Sequence, residues 1–263
     1  MIISVINHSH GVLQDDEIQR VIRAVNRQIH EDFEPYWSLG ATLRLEGRGG
    51  DNPKPENPQV EMRGDAIIYI WDKSDIDDAV GYHDQNFDGI PFGFVFLDIV
   101  AQLGEPWSIT FSHEALELIA DPEVNLLVAG PHPEDPKREV FHWYEMCDAV
   151  QAEVYEIDSV SVSNFVLPLY FTSAAERTGR NDFLNRTYAG KALPSFGVNP
   201  GGYIGFYDPT VNDHVTFAQQ NDPRAQARIR IRMQTKEARR AFRRSGGVPP
   251  QAAHHQPRRR KRG

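Results

Sequence analysis

Apolar positions in the first hundred residues recur with two different spacings. Residues 2–7 (Ile-Ile-Ser-Val-Ile-Asn) form a short apolar run that predicts a buried strand. Asp15 and Asp16 suit a helix start, and Ile18, Val21, Ile22, Val25, Ile29 and Phe33 follow at three- and four-residue intervals. That spacing predicts an amphipathic helix, with the turn at Glu34-Pro35 as its end. Residues 41–45 alternate like a strand, 66–71 are a continuous apolar strand, and 93–100 read as another. Between them, residues 47–64 carry Gly, Pro, Asn and Asp in quantity and predict an exposed loop.

The next apolar segment is a helix of a different kind. Gly104-Glu105-Pro106 marks its start and Asp121-Pro122 its end. On a wheel of about 100° per residue, with His113 at zero, Glu117 falls near 40°, Asp121 near 80° and Glu114 near 100°. Ile109, Ala115, Leu116, Leu118, Ile119 and Ala120 fill most of the remaining circumference. A helix apolar nearly all round is a buried one, so its single polar stripe is buried with it.

Beyond this helix the pattern turns to short strands. Residues 125–129, 153–157 and 160–166 are strand-like, and a Pro-rich loop occupies 130–138. The stretch 140–150 carries Glu145 and Asp148, and 201–207 with 215–217 predict a hairpin. Residues 222–244 have a helical composition, and the chain from Ser245 reads as a disordered tail. The order of elements predicts an α+β fold: a small mixed sheet packed on a buried active-site helix, a β-rich C-terminal half and a basic tail. Two units are expected, a domain over 1–221 and the tail over 222–263.

Charge sharpens that division. The formal net charge is −9, yet residues 222–263 hold 14 Lys/Arg against two acids, leaving 14 basic and 35 acidic residues in 1–221. An acidic body does not by itself seek nucleic acid, whereas the tail is suited to a polyanion or nucleic acid, or to folding back on the body. No apolar run reaches the roughly 18 residues of a membrane span, and the N-terminus lacks the pattern of a secretory leader. The single cysteine, Cys147, forms no intrachain disulfide. A cytoplasmic location is the expectation.

The buried stripe carries the chemistry. His113, Glu114 and Glu117 have the spacing of the zinc-hydrolase motif His-Glu-x-x-His, with glutamate in place of the second histidine. Buried charges are paired or bound to metal, so an imidazole and three carboxylates on one stripe call for a cation. His113 and Glu117 occupy the ligand positions one turn apart, and Glu114 is placed as general base. For the third ligand Glu145 is favoured, with Asp121, His142 and Cys147 as alternatives; Asp148 is expected to orient His113 from behind. The extra carboxylate makes the site more anionic, which suits Zn²⁺ or a harder ion such as Mn²⁺ or another divalent cation. Gly81-Tyr82-His83-Asp84 is a second dense segment, from which His83 or Tyr82 could polarise a substrate carbonyl. The aspartates before it lack the spacing of a calcium loop.

These segments, taken in order, resemble a family of bacterial and phage zincin-like metallopeptidases. The resemblance covers most of residues 1–206 and rests on several pieces in sequence. They are Asp32-Phe33-x-Pro35-x-Trp37, Gly81-Tyr82-His83-Asp84, Gly89-Ile90-Pro91, and Trp107-Ser108-x-Thr110-x-Ser112-His113-Glu114-x-Leu116-Glu117 with Asp121-Pro122-x-x-Asn125. Glu145-x-Cys147-Asp148, Val162-Ser163-Asn164-Phe165-x-x-Pro168 and Gly201-Gly202-Tyr203 complete the set. It implies a metallopeptidase-like domain with Glu114 as base and His113, Glu117 and Glu145 at the metal. Asn164 departs from the pattern, which leads one to expect an acid there.

The leading expectation is a zinc-dependent peptidase acting on a peptide or protein substrate, with the strand at 93–100 offering its edge to an extended chain. Two other functions compete with it. One is a catalytically inactive, metal-stabilised binding protein, consistent with Glu117 in place of histidine. The other is a protein tethered to a polyanion through residues 222–263.

Overall fold

The computed structural model describes residues 1–46, 64–73, 81–85, 90–172 and 179–219, with only the backbone at 81, 82, 84 and 85. The predicted loop at 47–64 therefore lies almost wholly outside the described residues, as does the whole basic tail at 222–263.

Strand β1 (Ile2–His8) leads into helix α1 (Asp15–Arg27), whose Ile18, Val21, Ile22 and Val25 are buried. The predicted stop at Glu34-Pro35 is corrected. The helix widens into a π-turn over Gln28–Phe33 and continues as a short α2 (Glu34–Trp37), ending at Ser38 in the left-handed region. A proline is tolerated here because Pro35 sits in the first turn of α2, where its missing N–H has no intrahelical acceptor to satisfy. The π-turn has its own anchor in Gln28, whose side chain donates to the Ser163 carbonyl at 2.8 Å.

Strands β2 (Thr42–Leu45), β3 (Ala66–Trp71), β4 (Gly81–Gln85) and β5 (Pro91–Phe96) complete a five-stranded sheet in the order β2-β1-β3-β5-β4. The first four strands of that order run parallel and β4 runs antiparallel at the edge. The predicted strand at 93–100 is shorter than its apolar run. It stops at Phe96, and Leu97–Leu103 form helix α3, closed by Gly104 at φ 68°. A continuous apolar run does not distinguish a buried strand from a buried helix. Nor is this strand an edge, because β5 is paired on both sides and β4 takes the edge position.

Helix α4 (Trp107–Ala120) carries the motif and lies against β4 and β5 of this sheet and against a hairpin on its other side. Every residue from Ser108 to Ala120 is buried, as the wheel predicts. Phe111, Leu116 and Leu118 are fully enclosed, and burial of side chains of this size stabilises by about 1.5–3 kcal/mol each. A helix held by apolar contact on all sides has little freedom to turn, so its polar stripe is fixed in direction.

The C-terminal half supplies the rest of the enclosure. Strands β6 (Leu127–Pro131) and β7 (Glu139–Trp143) pair antiparallel, and a turn then leads into a 3-10 segment at Asp148–Val150. The hairpin β8 (Val154–Ile157) with β9 (Val160–Ser163) docks on α4 through two serines one turn apart. Ser108 donates to the Ser161 carbonyl at 2.7 Å, and Ser112 Oγ accepts the Ser163 N–H at 2.8 Å. After a small ladder of β10 (Thr187–Tyr188) and β11 (Lys191–Ala192), β12 (Tyr203–Asp208) and β13 (Asp213–Ala218) form the predicted hairpin. It joins a four-stranded sheet in the order β13-β12-β7-β6. The architecture is mixed α+β, and among the described residues no helix is long and apolar enough to cross a membrane.

The approach of Gly202 to the 148–149 turn is close. A Cβ on Gly202 would stand 2.2 Å from the Ala149 carbonyl oxygen and 3.0 Å from that of Asp148. Both obstructing atoms are backbone, so neither can swing aside. Gly202→Ala is expected to destabilise the protein by roughly 1–3 kcal/mol through overpacking. Chemical denaturation against the wild type checks this; an unchanged midpoint would show that the turn is not packed as described.

Candidate metal centre

The polar stripe of α4 faces inward onto two other elements. His83, in edge strand β4, stands across from Gly93 in β5, and its side chain meets the helix. His83 Nδ1 lies 3.4 Å from Glu114 Oε2 and 3.8 Å from Glu117 Oε2. The turn after β7 arrives from the opposite direction. It brings Glu145 and Asp148 to the helix, and the Cys147 N–H donates to Glu117 Oε1 at 3.2 Å. The Val166 N–H donates to the Met146 carbonyl at 2.7 Å and holds that turn in place.

The distances around His113 are those of a ligand set. Its Nε2 lies 3.2 Å from Glu117 Oε1 and 3.3 Å from Asp148 Oδ1. Atoms that each stand about 2.0–2.2 Å from a tetrahedral ion are about 3.3–3.6 Å apart. Both oxygens address one nitrogen, and one N–H cannot serve two acceptors well. Asp148, expected to orient His113 from behind, meets the same Nε2 that Glu117 approaches, and it groups with Glu117 and Glu145 as a possible ligand.

Among the described residues, three groups of side chains bring one potential ligand atom each within 4.8 Å of one another: His113, Glu117 and Cys147; His83, Glu114 and Glu117; and Glu117, Glu145 and Asp148. Glu117 belongs to all three. The predicted triad of His113, Glu117 and Glu145 is therefore divided between two of these groups, with Glu117 shared. None of the residues in the three groups is more than 8% exposed.

Other candidates stand differently. The Cys147 thiol donates to the His113 backbone carbonyl at 3.8 Å, which turns it along the helix. His142 donates from Nε2 to the Pro131 carbonyl at 2.9 Å, and burial pushes its pKa down to about 4. It is a neutral core imidazole packed on Phe196 and Phe206. Asp121 is absent from the three groups. Its two oxygens accept the N–H groups of Asn125 and Leu126 at 3.2 and 3.0 Å, so it braces the helix exit. The backbone of Tyr82 pairs with Phe94, and its side chain lies outside the described residues.

Electrostatics around His83 oppose each other. Burial favours its neutral form, but the hydrogen bond to Glu114 and the charges of Glu145 and Glu117 outweigh that and hold its pKa above the ordinary histidine range. The ion-pair partners found here for Glu114, Glu117 and Asp148 are imidazoles. Carboxylates this close, with imidazole as counter-charge, fit a divalent cation in charge and donor type.

Asn164 has a clear place outside this cluster. Its amide nitrogen donates to Glu153 Oε2 at 2.8 Å and to Asp182 Oδ2 at 2.9 Å, while its oxygen accepts the Leu184 N–H at 3.2 Å. An acid at this position would put three buried carboxylates together. Glu153 also accepts from Asn199 at 2.6 Å, and burial raises its pKa. The Asn199 N–H in turn donates to the Ala149 carbonyl, so this network supports the turn that carries Asp148. The serine anchors and this network are not evident from the motifs; Ser108 and Ser112 at i, i+4, on a face of α4 away from its acidic stripe, are the available signal.

A brace and a ligand respond differently to substitution. Asp121→Ala leaves two N–H groups without their acceptor and is expected to cost about 1–3 kcal/mol, with the metal content of the purified protein unchanged. Parallel thermal melting and metal analysis check this; loss of metal without loss of stability would make Asp121 a ligand.

The chain matches no family model, no curated protein and no solved structure.

Proposed function

We propose that this protein is a zinc-dependent hydrolase of peptide bonds, with a zincin-like site built on α4. The observation that carries the reading is the pair of distances at His113 Nε2, 3.2 Å to Glu117 and 3.3 Å to Asp148, inside a buried cluster. His113, Glu117 and Asp148 would hold the ion, with Glu145 beside them. Zinc, when bound, supplies Lewis acidity and lowers the pKa of a water to about 7.

The remaining work belongs to the chain. Glu114 follows the first ligand directly and accepts the proton of the attacking water on its carboxylate. His83, 3.4 Å from Glu114 Oε2, orients that carboxylate. As an imidazolium it would also donate to the oxygen that gains charge on the substrate. Strand β4 pairs only with β5 among the described strands, so its other side is suited to an extended peptide. A mixed sheet lying on the motif helix is the arrangement that the zincin-like reading expects.

The near-complete burial of the cluster favours a second reading, a non-catalytic site in which zinc stabilises the fold. Structural zinc sites are closed, whereas catalytic ones keep an open position. The two readings diverge in Glu114→Gln. For a peptidase, this variant keeps its zinc while turnover of a mixed peptide library falls by about 10²–10⁴-fold. His113→Ala loses the zinc under either reading. Undiminished zinc in His113→Ala would overturn both, and bound zinc without any turnover in the wild type would leave the stabilising one.

A further inference from the structure

The two oxygens of Glu117 face different partners. Oε1 lies 3.2 Å from His113 Nε2 and accepts the Cys147 N–H. Oε2 lies 3.8 Å from His83 Nδ1, which itself stands 3.4 Å from Glu114 Oε2. His83, Glu114 and Glu117 thus form a ligand group of their own, all within 4.8 Å and none more than 4% exposed. At 3.4 Å the His83–Glu114 contact is long for a charge-assisted hydrogen bond, which prefers about 2.7–2.9 Å. It matches the spacing of two ligands on one tetrahedral ion, about 3.3–3.6 Å. The other ring nitrogen, His83 Nε2, is buried and has no hydrogen-bond partner among the described residues. No competing bond there holds the ring away from a cation.

We propose that the cluster takes two divalent cations, the second held by His83, Glu114 and the outer oxygen of Glu117, which bridges to the first. Bridging by one carboxylate suits paired ions about 3.5–4 Å apart. One imidazole with two carboxylates suits Zn²⁺ or Mn²⁺. The second position has a functional consequence that rests on the proposed peptidase reading. Ligating a cation lowers the basicity of the Glu114 carboxylate and so weakens it as a base toward water. Filling the second position has this effect, and excess zinc therefore acts as an inhibitor at the same site that zinc activates.

Equilibrium dialysis of the full chain against buffered Zn²⁺, with bound metal counted by mass spectrometry, tests this separately from catalysis. The wild type is expected to take up one more equivalent at saturation than either His83→Ala or His83→Gln. Both variants keep the tighter equivalent, and His113→Ala loses it. Circular dichroism and melting curves of the two His83 variants establish that each is folded, and the glutamine variant stands in if alanine fails. Equal uptake by wild type and a folded His83 variant would overturn the proposal. Loss of a His83-dependent equivalent with no His113-dependent one would instead overturn the peptidase reading and leave the second site standing.

Discussion

Like charges enclosed together dominate this structure. Glu117, Glu145 and Asp148 each bring an oxygen within 4.8 Å of the others, in a space where none is more than 8% exposed. At an effective dielectric of 20, two like charges 4–5 Å apart repel by about 3.5–4 kcal/mol. With all three ionised, three such pairs would amount to a large fraction of a domain's net stability of roughly 5–15 kcal/mol. A proton on His83 relieves part of it, as its raised pKa indicates. A divalent cation relieves more. Most of the surrounding architecture holds these buried acidic side chains together.

The enclosure is built from both halves of the chain. The parallel sheet fixes one side of α4, and its antiparallel edge strand delivers His83. The β8–β9 hairpin fixes another side through Ser108 and Ser112. The turn after β7 contributes Asp148 and is pressed from outside by Gly202, where no side chain fits. Asn164, Glu153 and Asn199 tie that same turn to the rest of the C-terminal half. A site assembled from three separate elements has its geometry set by packing rather than by any one loop.

Much of this was legible in the letters. The all-round apolar wheel of α4 predicts a buried helix, and the i, i+4 spacing of His113 and Glu117 places their side chains in contact, as found at 3.2 Å. Sequence reading separates Glu145 as a ligand from Asp148 as an orienter of His113, but spacing does not say which carboxylate stands nearer His113 Nε2, and in the structure Asp148 lies 3.3 Å from it. The apolar run at 93–100 hid a strand-to-helix change at Phe96, and its edge belonged to β4. Pro35 looked like a stop because a proline does end a regular helix; the π-turn before it made room for another turn. That the two oxygens of Glu117 face different histidines could not be read at all, since it depends on where each oxygen of one side chain points.

Zinc K-edge X-ray absorption on protein loaded with one equivalent of zinc tests the central claim most directly, because it reads donor atoms and distances at the ion. The account predicts one imidazole nitrogen and carboxylate oxygens at about 2.0–2.2 Å, with no sulfur. A sulfur shell near 2.3 Å would transfer the site to Cys147. Protein that retains no zinc after dialysis would contradict the account outright.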